Sequence, residues 1–139
     1  MCTYLYVNFD LTEVILSLLF SLNQQPLYNL SVIDLSCCRY LIKIFQDFSV
    51  VPNLEKLILK CCGELMEIDS SICVLEKLTV LDMEQCAKLR KLPSRIKGLK
   101  ALKVLNLNSC SMLRKLPKDI WQLKNLEQLN LSGTVFENL

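Results

Sequence analysis

The sequence predicts an α/β solenoid, with a curved parallel sheet on the concave side and short helical or 3₁₀ segments and loops on the convex side. Apolar residues recur with a period of 24 residues from Leu30 onward. The phrase at Cys86–Lys100 also recurs at Cys110–Lys124, with nine of its fifteen residues identical. A fixed period of this length is typical of a chain built from stacked structural units.

The repeated unit is LxxLxLxxCxxLxxLPxxIxxLxx. Its first, fourth and sixth positions are apolar in every copy: Leu30, Ile33 and Leu35; Leu54, Leu57 and Leu59; Leu78, Leu81 and Met83; Leu102, Leu105 and Leu107; and Leu126, Leu129 and Leu131. The fourth and sixth positions alternate with outward-facing ones, which predicts a short strand with one buried face. The later apolar residues are three or four apart, which predicts a short helix or 3₁₀ turn near the proline.

One such unit cannot bury its own apolar face, but stacked units bury a common one, with strands about 4.8 Å apart. The period divides the chain into repeats at 30–53, 54–77, 78–101 and 102–125, with a partial repeat at 126–139. Residues 1–29 match the repeat pattern poorly. One period before Leu30, Ile33, Leu35 and Cys38, this segment has Tyr6, Phe9, Leu11 and Val14. We expect a degenerate first repeat or an imperfect N-terminal cap there, and a chain that is a piece of a longer array.

Composition narrows the class of protein. The 139 residues are 52% hydrophobic and carry a formal charge of +2. Residues 1–77 hold five basic and nine acidic side chains, whereas residues 78–139 hold eleven and five, an asymmetry that concerns surfaces and partners rather than fold. The apolar run at 11–22 is too short to span a bilayer, and acidic residues near its start disfavour a signal peptide. We therefore expect a soluble intracellular chain with reduced thiols.

Several phrases identify a family. "LSVIDLS", "VPNLEKLILKCC", "LKVLNLNSCSMLRKLPKDI" and "LNLSGTVFENL" closely resemble the leucine-rich repeat region of plant disease-resistance proteins, in the branch with Toll/interleukin-receptor-like and nucleotide-binding domains. The resemblance implies a leucine-rich repeat solenoid in the cytoplasm or nucleus. It implies recognition of a pathogen effector or a monitored host protein, and restraint of a nucleotide-binding switch in the defense response. The chain departs from the family at Phe45 and Asp69, where the proline is absent, and it has no GxxxxGK[ST] phosphate loop.

The ninth position forms a column of cysteines: Cys38, Cys62, Cys86 and Cys110. Zinc ligands converge tetrahedrally, whereas a straight ladder does not. We therefore predict a structural thiol ladder in which each thiol fills a buried slot and donates to a backbone carbonyl of the turn. The neighbouring Cys37 and Cys61 are expected to point away and to be partly exposed.

Catalysis is disfavoured because the sequence contains no histidine, so no nucleophile has its usual general base. Asp82 and Glu84 lie two apart on a predicted strand and face outward. We expect a non-enzymatic protein with no cofactor and no metal.

Two surfaces are candidates for binding. A basic ridge follows the strands of adjacent repeats: Arg90, Lys91, Arg114 and Lys115. It is either simply solvated or suited to an acidic protein such as a companion nucleotide-binding domain, and the lack of interleaved aromatics disfavours nucleic acid. The other surface is the concave strand face, with outward residues Lys56, Ile58, Lys60, Val80, Asp82, Glu84, Lys103, Val104, Asn106, Asn108 and Gln128.

The mixture of charges and exposed aliphatic side chains on the concave face predicts a protein partner rather than a nucleic acid or a membrane. Two alternatives stay open: the substrate-recognition repeat of a ubiquitin ligase adaptor, and a truncated receptor fragment without independent function.

Overall fold

A parallel sheet of six short strands is the frame of the structure, a computed structural model that describes residues 3–6, 25–44 and 47–137. The strands lie side by side in chain order: β1 Thr3–Tyr6, β2 Leu30–Asp34, β3 Lys56–Ile58, β4 Val80–Asp82, β5 Val104–Asn106 and β6 Gln128–Asn130. Each turn of the chain adds one strand to the sheet, which is the construction of a solenoid. In the described part of the chain, no helix is long or apolar enough to cross a membrane.

The register of β2 to β6 equals the sequence period. The fourth position of each repeat pairs with the fourth position of the next: Ile33, Leu57, Leu81, Leu105 and Leu129. Alternate strand residues therefore enter the core together in every repeat. The predicted fold is confirmed: residues 30–44 and 47–137 form a leucine-rich repeat solenoid.

The first strand follows a different spacing. Leu5 pairs with Ile33, 28 residues later, and the register shifts between Thr3 and Tyr4. The 24-residue count instead places Phe9 opposite Ile33, so the unit upstream of β2 is longer than the others. Phe9, Leu11 and Val14 lie outside the described residues, and the role of residues 1–29 as a degenerate repeat or cap stays a prediction.

Among the described residues, the convex side contains four 3₁₀ segments: η1 Phe48–Val50, η2 Ser70–Val74, η3 Ile96–Gly98 and η4 Ile120–Gln122. Asp69 accepts a hydrogen bond from the backbone N–H of Ser71 at 2.8 Å and so caps η2. Asp69 holds the position that Pro93 and Pro117 hold in later repeats, which gives this departure from the pattern a structural reason. Phe45, the other departure, lies outside the described residues.

Adjacent convex segments pack closely at Gly98. A Cβ atom at this position would lie 2.3 Å from the carbonyl oxygen of Cys73, in the preceding repeat. Any larger side chain would therefore push η3 away from η2.

The core lies between the sheet and the convex segments. The inward side chains of the middle repeats, such as Leu57, Leu81 and Leu105, are almost fully buried. Leu129 and Leu131, in the last described repeat, are only half-buried because a neighbouring repeat packs on one side of them alone.

Substitution at Leu81 tests this arrangement. Leu81→Ala leaves a cavity in a central repeat and should lower the free energy of unfolding by about 2–5 kcal/mol. Val80→Ala is the matched control, because Val80 lies on the same strand and is half-exposed on the opposite face. Urea denaturation followed by circular dichroism measures both. An equal loss for the two variants would contradict the placement of Leu81 in the core.

Candidate protein-binding face

The eleven residues predicted for the concave face lie on one side of the sheet, in three rows that run across the strands. The rows contain Lys56, Val80, Val104 and Gln128; Ile58, Asp82 and Asn106; and Lys60, Glu84 and Asn108, with Lys103 beside the first row. Lys56, Lys103 and Gln128 are exposed, and the other eight are half-buried. Their grouping follows from the register, because equal positions of successive repeats are stacked.

The centre of this face is a connected polar cluster. The Nζ atom of Lys60 lies 3.3 Å from Oδ2 of Asp82 and 3.2 Å from Oε2 of Glu84. Asn108 donates a hydrogen bond to Oε1 of Glu84 at 3.1 Å. The hydrogen bonds from Asn108 and Lys60 lower the pKa of Glu84, while the hydrogen bond to Glu84 raises the pKa of Lys60. A partner would therefore meet charges that already pair with one another.

The fifth position has a structural function that the sequence interpretation missed. Asp82 accepts a hydrogen bond from the backbone N–H of Glu84, and Asn106 accepts one from that of Asn108, each at 3.1 Å. Asp34 and Asn130 make the same bond in their repeats. Each side chain thus satisfies a backbone donor where its strand ends. The recurrence of Asp or Asn two residues before the turn was the available signal.

Ile58 is the exception at the fifth position. It is the strand neighbour of both Asp34 and Asp82, but its side chain offers no acceptor to the N–H of Lys60. Instead it adds a half-buried aliphatic side chain beside the row that contains Val80. This repeat therefore exchanges a local hydrogen bond for exposed apolar area.

Two residues of the basic ridge contact other groups of the solenoid, which the sequence interpretation did not anticipate. Arg90, Lys91, Arg114 and Lys115 are all exposed, but Nζ of Lys91 lies 3.0 Å from Oε2 of Glu67, one repeat earlier. Arg114 reaches the carbonyl oxygen of Val135 at 3.5 Å, which is too long for a strong hydrogen bond.

Two other pairs join the acidic second repeat to the basic third one. They are Glu64 with Lys88, at 2.6 Å, and Glu76 with Lys100, at 2.5 Å. Part of the charge asymmetry is thus compensated inside the solenoid. In the fourth repeat the positions of Lys91 and Lys100 hold Lys115 and Lys124, so positive charge accumulates toward the C-terminal repeats.

The four cysteines of the thiol ladder are buried. Cys62, Cys86 and Cys110 each donate at 3.1 Å to a backbone carbonyl of the preceding repeat, those of Leu35, Leu59 and Met83. Burial raises the pKa of Cys62 to about 12 and that of Cys110 to about 11. The thiols of Cys62 and Cys110 therefore stay protonated donors at neutral pH. Within residues 3–6, 25–44 and 47–137, no group of three or more metal-ligating side chains could hold a metal ion.

Trp121 is an exposed residue that the sequence interpretation did not single out. It lies on η4, and 73% of its surface is exposed. The same position holds Ser49, Cys73 and Lys97 in earlier repeats. A tryptophan in a slot that is otherwise small or polar was the signal that could have identified it.

A family model and one solved structure agree with the fold. The family model described as Leucine Rich Repeat matches residues 101–123. The leucine-rich repeat domain of the type III effector XopL is 33% identical, with a TM-score of 0.65, over 77% of this chain and 36% of that one. A leucine-rich repeat protein of Leptospira interrogans is 20% identical, with a TM-score of 0.44, over 81% of this chain and 45% of that one. The chain thus spans well under two thirds of either structure, and no curated protein matches it.

Acid should destabilise the fold in a defined window. Glu67 has a lowered pKa because Lys91 hydrogen-bonds to it, and Asp69 because the backbone N–H of Ser71 does. Groups of this kind stabilise the fold fully above their unfolded pKa values, 4.5 for Glu and 3.8 for Asp, and the stabilisation is lost as pH falls through the lower folded values. We expect the free energy of unfolding to change little between about pH 7 and 5 and to fall below about pH 4.5.

Asp69→Asn is the control for this dependence. The amide oxygen can still accept from Ser71, but the side chain no longer titrates, so the decline in acid should be shallower. Urea denaturation at a series of pH values measures it. Identical pH profiles for the two proteins would contradict a contribution from Asp69.

Proposed function

We propose that this leucine-rich repeat region is the protein-recognition part of an intracellular plant immune receptor, acting in the cytoplasm or the nucleus. In this proposal the concave face contacts a pathogen effector or a monitored host protein. The proposal is supported by the resemblance of the cysteine column, the "LP" pair and "LSGT" to the repeats of such receptors. It is also supported by the fold, which is an interaction scaffold that presents a broad sheet face.

The recognition role is supported most strongly by an outward-facing isoleucine, Ile58, at a position that holds Asp or Asn in the other repeats. The fold favours Asp or Asn at this position, because that side chain satisfies the turn that follows. An aliphatic side chain there gives up this stabilisation and gains nothing in the core, since it faces outward. Exposed aliphatic groups surrounded by charges are suited to the centre and rim of a protein interface.

The ridge provides a second contact in this proposal. Arg90 and Lys115 have no acidic side chain within ion-pair distance among the described residues, whereas Lys91 is held by Glu67. We expect the unpaired cations to contact an acidic surface of the companion nucleotide-binding domain. Exposed charges of this kind contribute modestly one by one and are screened by salt.

Ile58→Asn separates recognition from stability. The new side chain can accept from the N–H of Lys60, so the free energy of unfolding should rise by about 0.5–1.5 kcal/mol. Affinity for the effector or host protein should fall, because the apolar contact is lost. Ile58→Val keeps an aliphatic surface without an acceptor and should change neither quantity much. A variant that is more stable and binds as well as the parent would contradict recognition through Ile58.

The ridge is tested with the nucleotide-binding domain that we expect in frame upstream of Met1 in the transcript. Reversal of Arg90, Arg114 and Lys115 to Glu should leave the fold intact and weaken binding of that domain at low salt. The difference from the parent should shrink as salt rises, since exposed charges are screened beyond about 8–10 Å. Reversal of Lys56 and Lys103, on the concave face, is the control and should spare this contact.

Titration calorimetry across a salt series measures the binding. Equal affinity of parent and reversed ridge at low salt would contradict the docking role. A transcript with no nucleotide-binding domain upstream would contradict the receptor class, and a ligase-docking helix there would favour the adaptor alternative.

A further inference from the structure

Cys37 and Cys61 occupy the same turn position in adjacent repeats. Both have left-handed backbone conformations, with φ of 63° and 58°. The N–H of Cys37 donates to the carbonyl of Lys60 at 2.7 Å, and the N–H of Cys61 donates to that of Glu84 at 2.8 Å. The hydrogen bonding that joins the strands thus continues through this turn and holds the two cysteines side by side.

The spacing suits a covalent bond between them. Neighbouring strands lie about 4.8 Å apart, and the Cα atoms of disulfide-bonded cysteines are usually about 4.4–6.8 Å apart. The two residues hold equivalent positions in stacked repeats and share a left-handed φ, so their Cα–Cβ bonds are directed alike. Burial contributes most to raising the pKa of Cys61, and the neighbouring Cys37 thiol contributes next.

Access distinguishes this pair from the thiol ladder. Cys37 is exposed and Cys61 is half-buried, and both are free. The adjacent Cys62 is buried, with its thiol directed to the carbonyl of Leu35. A small oxidant therefore reaches Cys37 first, and Cys61 is the thiol that lies next to it.

We propose that Cys37 and Cys61 are a redox-modification site, at which a small-molecule disulfide joins the first two repeats through an inter-repeat disulfide. The Cys37 thiolate attacks the small disulfide, forms a mixed disulfide and releases one thiol. The Cys61 thiolate then attacks the sulfur of Cys37 and releases the second thiol. Two cysteine thiols are oxidised while one small disulfide is reduced to two thiols, so atoms and electrons balance.

The bond would change the edge of the concave face. It closes a loop across the β2–β3 connection and so restricts the unfolded chain. It also removes the proton that the Cys61 thiol donates to Oε1 of Gln85 at 3.2 Å. The modification thus stabilises the N-terminal repeats and releases Gln85, next to the turn that contains Lys60.

The test uses the full chain with glutathione disulfide as the probe, followed by intact mass measurement and thermal denaturation. The parent should lose two hydrogens with no retained glutathione, and its melting temperature should rise by about 5–15 °C, reversibly with a reducing agent. Cys61→Ser should keep glutathione on Cys37, and neither Cys61→Ser nor Cys37→Ser should show the thermal shift.

Cys2→Ser and Cys73→Ser are matched controls that remove other thiols and should behave like the parent. Circular dichroism of the reduced proteins checks their folding, and Cys37→Ala and Cys61→Ala replace any serine variant that unfolds. An intramolecular bond that persists in Cys37→Ser, or glutathione that stays on the parent without loss of the two hydrogens, would overturn the proposal.

Discussion

The in-register stacking of each repeat on the next is the constraint on which the rest of the structure depends. A three-residue strand such as Val80–Asp82 makes no independent sheet. It is stable because the strands on both sides pair with it in register and hydrogen-bond to its backbone. From β2 to β6, the hydrogen bonds between strands and the buried leucines all use one 24-residue register, so this framework recurs from one repeat to the next.

This register also decides which side chains meet on the surface. Residues that are 24 apart in the sequence become neighbours in adjacent repeats. A substitution therefore changes the contacts of the equivalent residues in the repeats before and after it. Glu67 beneath Lys91 gives an ion pair, whereas Lys115 in the next repeat places one cation above another. The sign of the surface is therefore set column by column. The C-terminal repeats are positive because lysine recurs at equivalent positions of successive repeats. The strands of these repeats pair in the same register as the others.

The sequence predicted the strands, the core columns and the buried thiols because all of these recur, and recurrence is visible without a structure. The left-handed turn position was not predictable, since Cys37, Gln85 and Ser109 are not residues that signal positive φ, and only Gly133 does. The internal pairing of Lys91 was missed because the charges were counted along the chain rather than across repeats. The spacing of β1 was missed because its unit does not share the period.

Function in such an array is best sought where a column breaks its own rule without benefit to the core. Asp69 breaks the proline column but caps a 3₁₀ turn, so its departure is explained by the fold. Ile58 interrupts the column of Asp and Asn residues, and among the described residues no other contact in the core replaces the turn hydrogen bond that is lost. It lies beside Lys60, whose carbonyl receives the N–H of Cys37 and whose side chain binds Asp82 and Glu84. Ile58, Lys60 and Cys61 thus lie close together in one repeat, so the proposed oxidation of Cys37 and Cys61 would act next to the face that we propose for recognition.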